Sequence, residues 1–248
     1  MKNLAVFLIA GVLALCAGAA VAQTIPVEHF HKVIVSPYIQ ASFVQGDAES
    51  VTINSCIVDT GKLHLEQHGG VLRVYLDGAR DIPHGTRQYV YDENGGRHEL
   101  YPRHAVLVTI TYRRLDELSL RGEERYLCES PLYANRFHLR LYGDATMLFT
   151  EVHISKLFSK VYGESNVEIR SGDIGKQYYT CFGDSKINST AIRSRAAKVT
   201  SFGDAEFRVN VSDRIRLMAF GDAKLWYMGN PAIAKGFHFG DLDVKRLD

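Results

Sequence analysis

From Leu118 to the C-terminus, apolar residues recur at every second position in short runs, and glycine punctuates those runs at a nearly constant interval. Val167 and Ile169, Phe207 and Val209, and Ile215, Leu217 and Ala219 are examples. A period of two marks strands with one face turned inward. The punctuation reads Leu-Tyr-Gly-Asp (141–144), Val-Tyr-Gly-Glu (161–164), Cys-Phe-Gly-Asp (181–184), Ser-Phe-Gly-Asp (201–204), Ala-Phe-Gly-Asp (219–222) and His-Phe-Gly-Asp (238–241). A degenerate first copy is Leu-Arg-Gly-Glu (120–123). Successive glycines, from Gly122 through Gly143, Gly163, Gly183, Gly203 and Gly221 to Gly240, lie 21, 20, 20, 20, 18 and 19 residues apart.

Spacing this regular means one structural unit per interval. Repeats built from helix pairs need about 33 residues or more and an i, i+3, i+4 pattern that is missing here. The expected fold class is therefore all-β: a parallel β-helix, or β-solenoid, with roughly 20-residue coils. Corresponding strands would stack at about 4.8 Å, satisfying one another's backbone groups and burying alternate side chains in a continuous core. Stability is then a nearest-neighbour property of the stack.

In such a stack each repeat position becomes a column. Two positions before the glycine stand Leu120, Leu141, Val161, Cys181, Ser201 and Ala219, which should be interior. One position before stand Tyr142, Tyr162, Phe182, Phe202, Phe220 and Phe239, whose rings should stack along the axis. The glycine itself should mark a bend with φ > 0 or a close backbone approach.

Residues 24–117 are also strand-rich but lack the Gly-Asp register. Candidate strands are Lys32–Val35, Ala41–Val44, Ser50–Ile53, Lys62–Glu66, Val71–Leu76 and Ala105–Tyr112. The polar stretch from Asp77 to Arg103, with Asp-Ile-Pro-His-Gly and Asp-Glu-Asn-Gly-Gly, predicts a loop or hairpin excursion. The chain thus divides into an export signal (1–22), a strand-rich N-terminal region (24–117) and solenoid repeats (118–248). Whether the middle part is a small domain or the opening coils of the stack stays open.

The pattern resembles the auto-transporter adhesin head GIN domain family, found in exported proteins of Bacteroidetes-type bacteria. The likeness runs from His29-Phe-His-Lys-Val-Ile-Val-Ser through Val106–Thr111 and Leu115-Asp-Glu-Leu-Ser-Leu into the glycine repeats. Family members usually carry Gly-Ser-Gly where this chain has Gly143-Asp144-Ala145 or Gly183-Asp184-Ser185. The resemblance implies a right-handed parallel β-helix, an exported location and an adhesion or scaffold role, with no catalytic residues to carry over. Right-handed parallel crossovers are also the general rule.

Lys2, the apolar run Leu4–Leu15 and the small residues ending Ala20-Val21-Ala22 form an export signal with cleavage expected after Ala22. Lipid attachment at Cys16 is the alternative. The apolar run is short for a membrane span, which needs about 20 residues, so no span is expected in the mature chain. The destination is the periplasm, the outer-membrane surface or the exterior. Three cysteines then remain, Cys56, Cys128 and Cys181, too odd a set for a closed disulfide framework. Cys181 sits in the interior column and reads as a small buried hydrophobe. The composition, 46% hydrophobic and 23% charged, is that of a globular chain, and a formal net charge of +1 gives no case for a nucleic-acid partner.

Directly after each glycine comes an acid: Glu123, Asp144, Glu164, Asp184, Asp204, Asp222 and Asp241. At a rung spacing of about 4.8 Å two like charges repel by about 1 kcal/mol in water, so something must offset the repulsion. Two readings remain open. Each carboxylate accepts its own turn's N–H and stays solvated, or Ca²⁺ bridges carboxylates of adjacent coils. No other cofactor is expected, and these acids are the candidate ligand- or cation-binding residues.

Parallel β-helices also include polysaccharide-cleaving enzymes, whose sites need clustered carboxylates with a second acid or base. Arg140, Lys160, Lys186, Arg193, Arg195 and Lys224 lie on or near the solenoid, but no non-repeating cluster stands out, and a repeating column is explained by coil geometry before catalysis. His29 and His31, expected to share one strand face at i and i+2, and His64 with His68 offer metal-ligand pairs without a third ligand at a diagnostic spacing. The function expected is that of a non-enzymatic binding or scaffold protein facing a glycan, a cell-envelope component or a protein. A carbohydrate-active enzyme and a homo-oligomer assembled through the solenoid's open end are the alternatives.

Overall fold

A computed structural model describes residues 22–79, 89–91 and 95–247; the export signal otherwise lies outside the described residues. The architecture is all-β, with 69% of the described residues in strands, about 1% in helix, and a β-solenoid of about six turns.

Each coil is built from one long and one short strand. The long strands Leu132–Tyr142, Val152–Tyr162 and Gly172–Phe182 stack in parallel register, residue 132 on 152 and 152 on 172. The short strands Thr146–Phe149 and Asn166–Ile169 do the same between them. In the next two coils short and long strands run together as Lys186–Phe202 and Ala205–Phe220, and the stack ends with Ala223–Met228, Ala232–Phe239 and Leu242–Arg246.

Each long strand bends near its start. Ser155 and Lys156 are both exposed between the buried Ile154 and Leu157, which a straight strand with alternating faces does not allow. Pairing skips the same rung position, at Asn135, Ser155, Gly175 and Arg195. The coil therefore has a corner there and a second one at the glycine.

At the glycine corner the expected single file is present. The nearest backbone neighbour of Gly143 is Gly122, of Gly163 it is Gly143, and the sequence continues through Gly183, Gly203 and Gly221 to Gly240, all with φ between +103° and +120°. Two positions before it, Leu120, Leu141, Val161, Cys181, Ser201 and Ala219 are all buried. Two positions after it lies another interior column, Ala145, Ser165, Ser185, Ala205 and Ala223. The Ser165 and Ser185 hydroxyls donate to the Gly143 and Gly163 carbonyls at 2.7 and 3.1 Å, tying coil to coil.

The aromatic column forms on the outside. Tyr142, Tyr162, Phe182, Phe202 and Phe220 stack with centroids 4.9–5.0 Å apart and planes within 4°. The ladder shifts at its last rung: Phe239 is in backbone register with Phe220, yet Phe237 makes the ring contact, at 5.5 Å and 36°. The reason is a bulge that sets Gly236 and Phe237 against Met218 alone.

The upstream strands continue the stack, out of chain order. Lys32–Val35 and Ile39–Gln45 pair in parallel with Glu117–Arg121 and Arg125–Cys128 on one side, and with Val71–Leu76 and Val106–Tyr112 on the other. The outermost edges are closed by antiparallel strands: Leu63–His68 on Val71–Leu76, Ser50–Cys56 on Val106–Tyr112, and Gln23–Pro26 on Ser50–Cys56. Such a lid spends the edge's backbone groups within the chain. One core cluster runs from Phe30 to Leu225 through both regions. Within the polar excursion, Tyr89–Tyr91 and Arg97–Glu99 form a hairpin.

Candidate binding faces

Because successive strand residues alternate, the outward positions of each long strand fall one, three, five and seven residues before its glycine. On the five rungs from residue 132 to 220 these are twenty positions, of which one column is the aromatic ladder. The others run Arg140, Lys160, Thr180, Thr200, Met218; then His138, Phe158, Tyr178, Lys198, Arg216; then Arg136, Lys156, Lys176, Ala196, Arg214. Eight of the twenty are Lys or Arg, and none is Asp or Glu.

The flanking rung supplies an acid: Glu117 pairs with Lys32 at 3.1 Å and with Arg140 at 3.5 Å. The field of the face registers on His138, which is held below its ordinary value first by burial and then by Arg140, Arg136 and Lys160, against Glu117. A second, shorter ladder crosses the face, His138 on Phe158 at 5.0 Å and Phe158 on Tyr178 at 4.7 Å. The Arg136 guanidinium lies 5.9 Å from the Phe158 centroid, the Arg121 guanidinium 5.8 Å from the Tyr142 centroid. Rings stacked on one another show their edges, not their faces, to solvent.

Around the corner bend the face runs into a groove of about 400 Å³ lined by His153, Ser155, Lys156, Asp173, Lys176 and Arg195, among others. It adjoins a second groove, of about 620 Å³, through the shared Asp173, Gly175 and Arg195. The acids of this corner are occupied. Asp173 and Glu151 hold the two ring nitrogens of His153 at 2.7 and 2.8 Å, and these bonds, Glu151 first, raise the imidazole above its ordinary value.

The predicted acidic ladder lies on a different edge. Asp144, Glu164, Asp184, Asp204, Asp222 and Asp241 are exposed in single file after the glycines, with Glu123 half-buried at the start. Asp204 accepts the N–H of Asp222 at 3.3 Å, and Asp222 that of Asp241 at 2.9 Å. The donor is thus the next coil's amide rather than the carboxylate's own turn, because stacking puts that amide within reach. Lys186, Glu206 and Lys224 flank the ladder as a second column and share with it a groove of about 300 Å³. Among the described residues, no three His, Cys, Asp or Glu side chains converge as a metal site.

His29 and His31 are not on a strand: they precede Lys32–Val35, and His29 Nδ1 meets the buried Glu49 at 3.1 Å. His64 Nε2 pairs with Asp77. Cys181 is buried and its thiol is pushed up to about 12 by desolvation. Glu124, two residues after Gly122, is buried as well and sits where later coils place Ala or Ser. It accepts the Tyr38 N–H at 2.8 Å, and burial raises its carboxyl to about 7 against that hydrogen bond.

Residues 29–231 match the family model described as "putative auto-transporter adhesin, head GIN domain". The chain belongs to this family. Among solved structures, a putative adhesin from Bacteroides fragilis shares 16% identity at a TM-score of 0.73, over 92% of this chain and 96% of the other. A putative adhesin from Parabacteroides merdae shares 15% at 0.64, covering 92% and 95%. A protein named as a putative lipid binding protein, from Parabacteroides distasonis, shares 15% at 0.65, covering 92% and 96%. At such identities the likeness to these structures is one of fold. Among curated proteins, none matches the sequence. The head GIN assignment points to an adhesin-like, exported binding protein, and no helix among the described residues is long and apolar enough to cross a membrane.

Of the cations noted in the sequence, Arg140 and Lys160 belong to the outer face, Arg193 and Arg195 to the corner groove, and Lys186 and Lys224 to the acidic edge. The face of this head GIN domain escapes a reading confined to the residues touching each glycine. Its signal stands three, five and seven positions earlier.

Proposed function

We propose that this chain is a non-enzymatic, exported binding protein whose ligand docks on the outer face of the long strands. The partner is a glycan, a cell-envelope component or a protein, met in the periplasm, at the outer-membrane surface or outside the cell. The observation that carries this reading is the charge segregation: eight cations and no acid on twenty outward positions of one face, in a chain whose formal net charge is +1. Clustered charge of one sign raises local potential and steers oppositely charged partners.

The titratable groups favour binding over turnover. Glu124, the carboxyl held near 7, is engaged by Tyr38 inside the coil. Glu151 and Asp173 are spent on His153. A screen of the mature chain against glycans and envelope extract tests the reading, with saturable binding expected and no new reducing ends or unsaturated product from polysaccharides. Catalytic turnover would overturn it.

A further inference from the structure

We infer that the ligand of the outer face is a linear acidic polysaccharide lying along the stacking axis, its carboxylate or sulfate groups held between cations of successive rungs. This rests on the reading that the face binds, and it names the ligand class.

Arg136, Lys156 and Lys176 are register partners on consecutive rungs, and ring centroids on the same strands repeat at 4.7–5.0 Å. Arg140 and Lys160 form a parallel pair two residues along. Unit charges held at such a spacing repel by about 1 kcal/mol per pair in water. None of the twenty outward positions is an acid, and Glu117 on the flanking rung reaches Arg140 alone among these five cations; a polyanion threaded along the columns would relieve the rest. The rungs are fixed by the backbone, so the cations need little ordering on binding beyond their own side chains.

The aromatic ladders narrow the chemistry further. A neutral sugar recognised by stacking needs open ring faces, and here each ring from Tyr142 to Phe220 covers its neighbour's. What remains outward are ring edges, the electropositive part of the quadrupole, which suit an anion. The same locking argues against a membrane surface, since rings held face to face are not free to insert among acyl chains. Thr180 and Thr200, which continue the Arg140–Lys160 column beside the ladder, offer hydroxyls to a polyhydroxylated backbone. The corner groove adds Arg195 beside Lys156 and Lys176, giving the polymer a walled track.

The test is binding of the mature chain to polygalacturonate, alginate, hyaluronate and chondroitin sulfate. Fully methyl-esterified polygalacturonate, a single-stranded DNA oligonucleotide and anionic lipid vesicles serve as comparisons. At least one acidic polysaccharide should bind, and binding should weaken steeply as salt rises to about 0.3 M, where the Debye length falls well below the width of the face. The esterified polymer should not bind. Lys156→Glu with Lys176→Glu should weaken binding about tenfold or more, equivalent to about 1.4 kcal/mol, while Arg125→Glu with Arg170→Glu, off the face, should stay within about twofold. Thermal melts of both variants check folding. Equal binding of the esterified polymer, or tighter binding of DNA or vesicles, overturns the ligand class. Binding of envelope extract but of none of the acidic polysaccharides overturns it too, and leaves the adhesin-like reading intact.

Discussion

A β-carbon on Gly221 would lie 2.8 Å from the carbonyl oxygen of Gly203, one coil away. Gly221 also has a φ of +120°, a region that side-chain-bearing residues rarely enter. Gly221→Ala should therefore destabilise by about 3 kcal/mol or more. At Gly69, φ is +57° and nothing lies within 4 Å, so Gly69→Ala should cost about 1–2 kcal/mol. Denaturant melts of the two variants read the difference, and equal costs would mean that the glycines are not stacked.

Phe202 stacks on Phe182 at 4.9 Å and on Phe220 at 5.0 Å. Phe202→Ala loses both contacts and should cost about 1–3 kcal/mol beyond the lost burial. Phe237 has one tilted contact and is 65% exposed, so Phe237→Ala should cost less than about 1 kcal/mol. Unfolding free energies of the single variants test the ladder's contribution.

Glu124 gives stability a pH dependence. Its carboxyl titrates near 7 in the folded chain against an ordinary 4.5. Between those values the folded protein keeps a proton that the unfolded chain has released, so stability falls as pH rises through the window. The full loss above pH 7 is about 3 kcal/mol. Glu124→Gln keeps an acceptor for the Tyr38 N–H and does not ionise. It should flatten the curve between pH 4.5 and 7 and exceed the parent's stability at pH 8, as measured by urea unfolding across that range; parallel curves for the two proteins would refute the assignment.

Cys128 and Cys181 are buried, and desolvation pushes their thiols up to about 11 and 12, while Cys56 is half-buried. A thiol reagent at pH 8 should label the native mature chain at Cys56 alone, because the thiolate is the reactive form. All three should react after unfolding. Mass spectrometry of the labelled peptides gives the answer.

The glycine file and both of its neighbouring columns could be read from sequence because each repeat copies the same local problem. Chain order could not. Nothing periodic announces that Lys32–Val35 slots between Val71–Leu76 and Glu117–Arg121, since a choice among distant strands leaves no local trace. The outer face was half hidden for another reason: its columns mix Arg, Lys, His, Phe and Tyr, so the shared property is direction and charge rather than residue type. Glu124 looks like one more surface acid beside Glu123. Only its place in the small interior column, beneath Tyr38 with its φ of +69°, makes it a buried group. His29 and His31 looked like a strand pair because an i, i+2 spacing does not say whether the strand has begun.

Docking on the long-strand face, as proposed above, depends on where the cations stand and not on the protein's charge at large. Binding of the mature chain to isolated cell envelopes should be compared for two variants of equal net charge. One carries Arg136→Glu, Lys156→Glu and Lys176→Glu; the other carries Arg125→Glu, Arg170→Glu and Lys245→Glu, all off that face. A loss of about tenfold or more, ~1.4 kcal/mol, is expected for the first, with the second close to the parent. Equal losses, or a loss confined to the second, would contradict it.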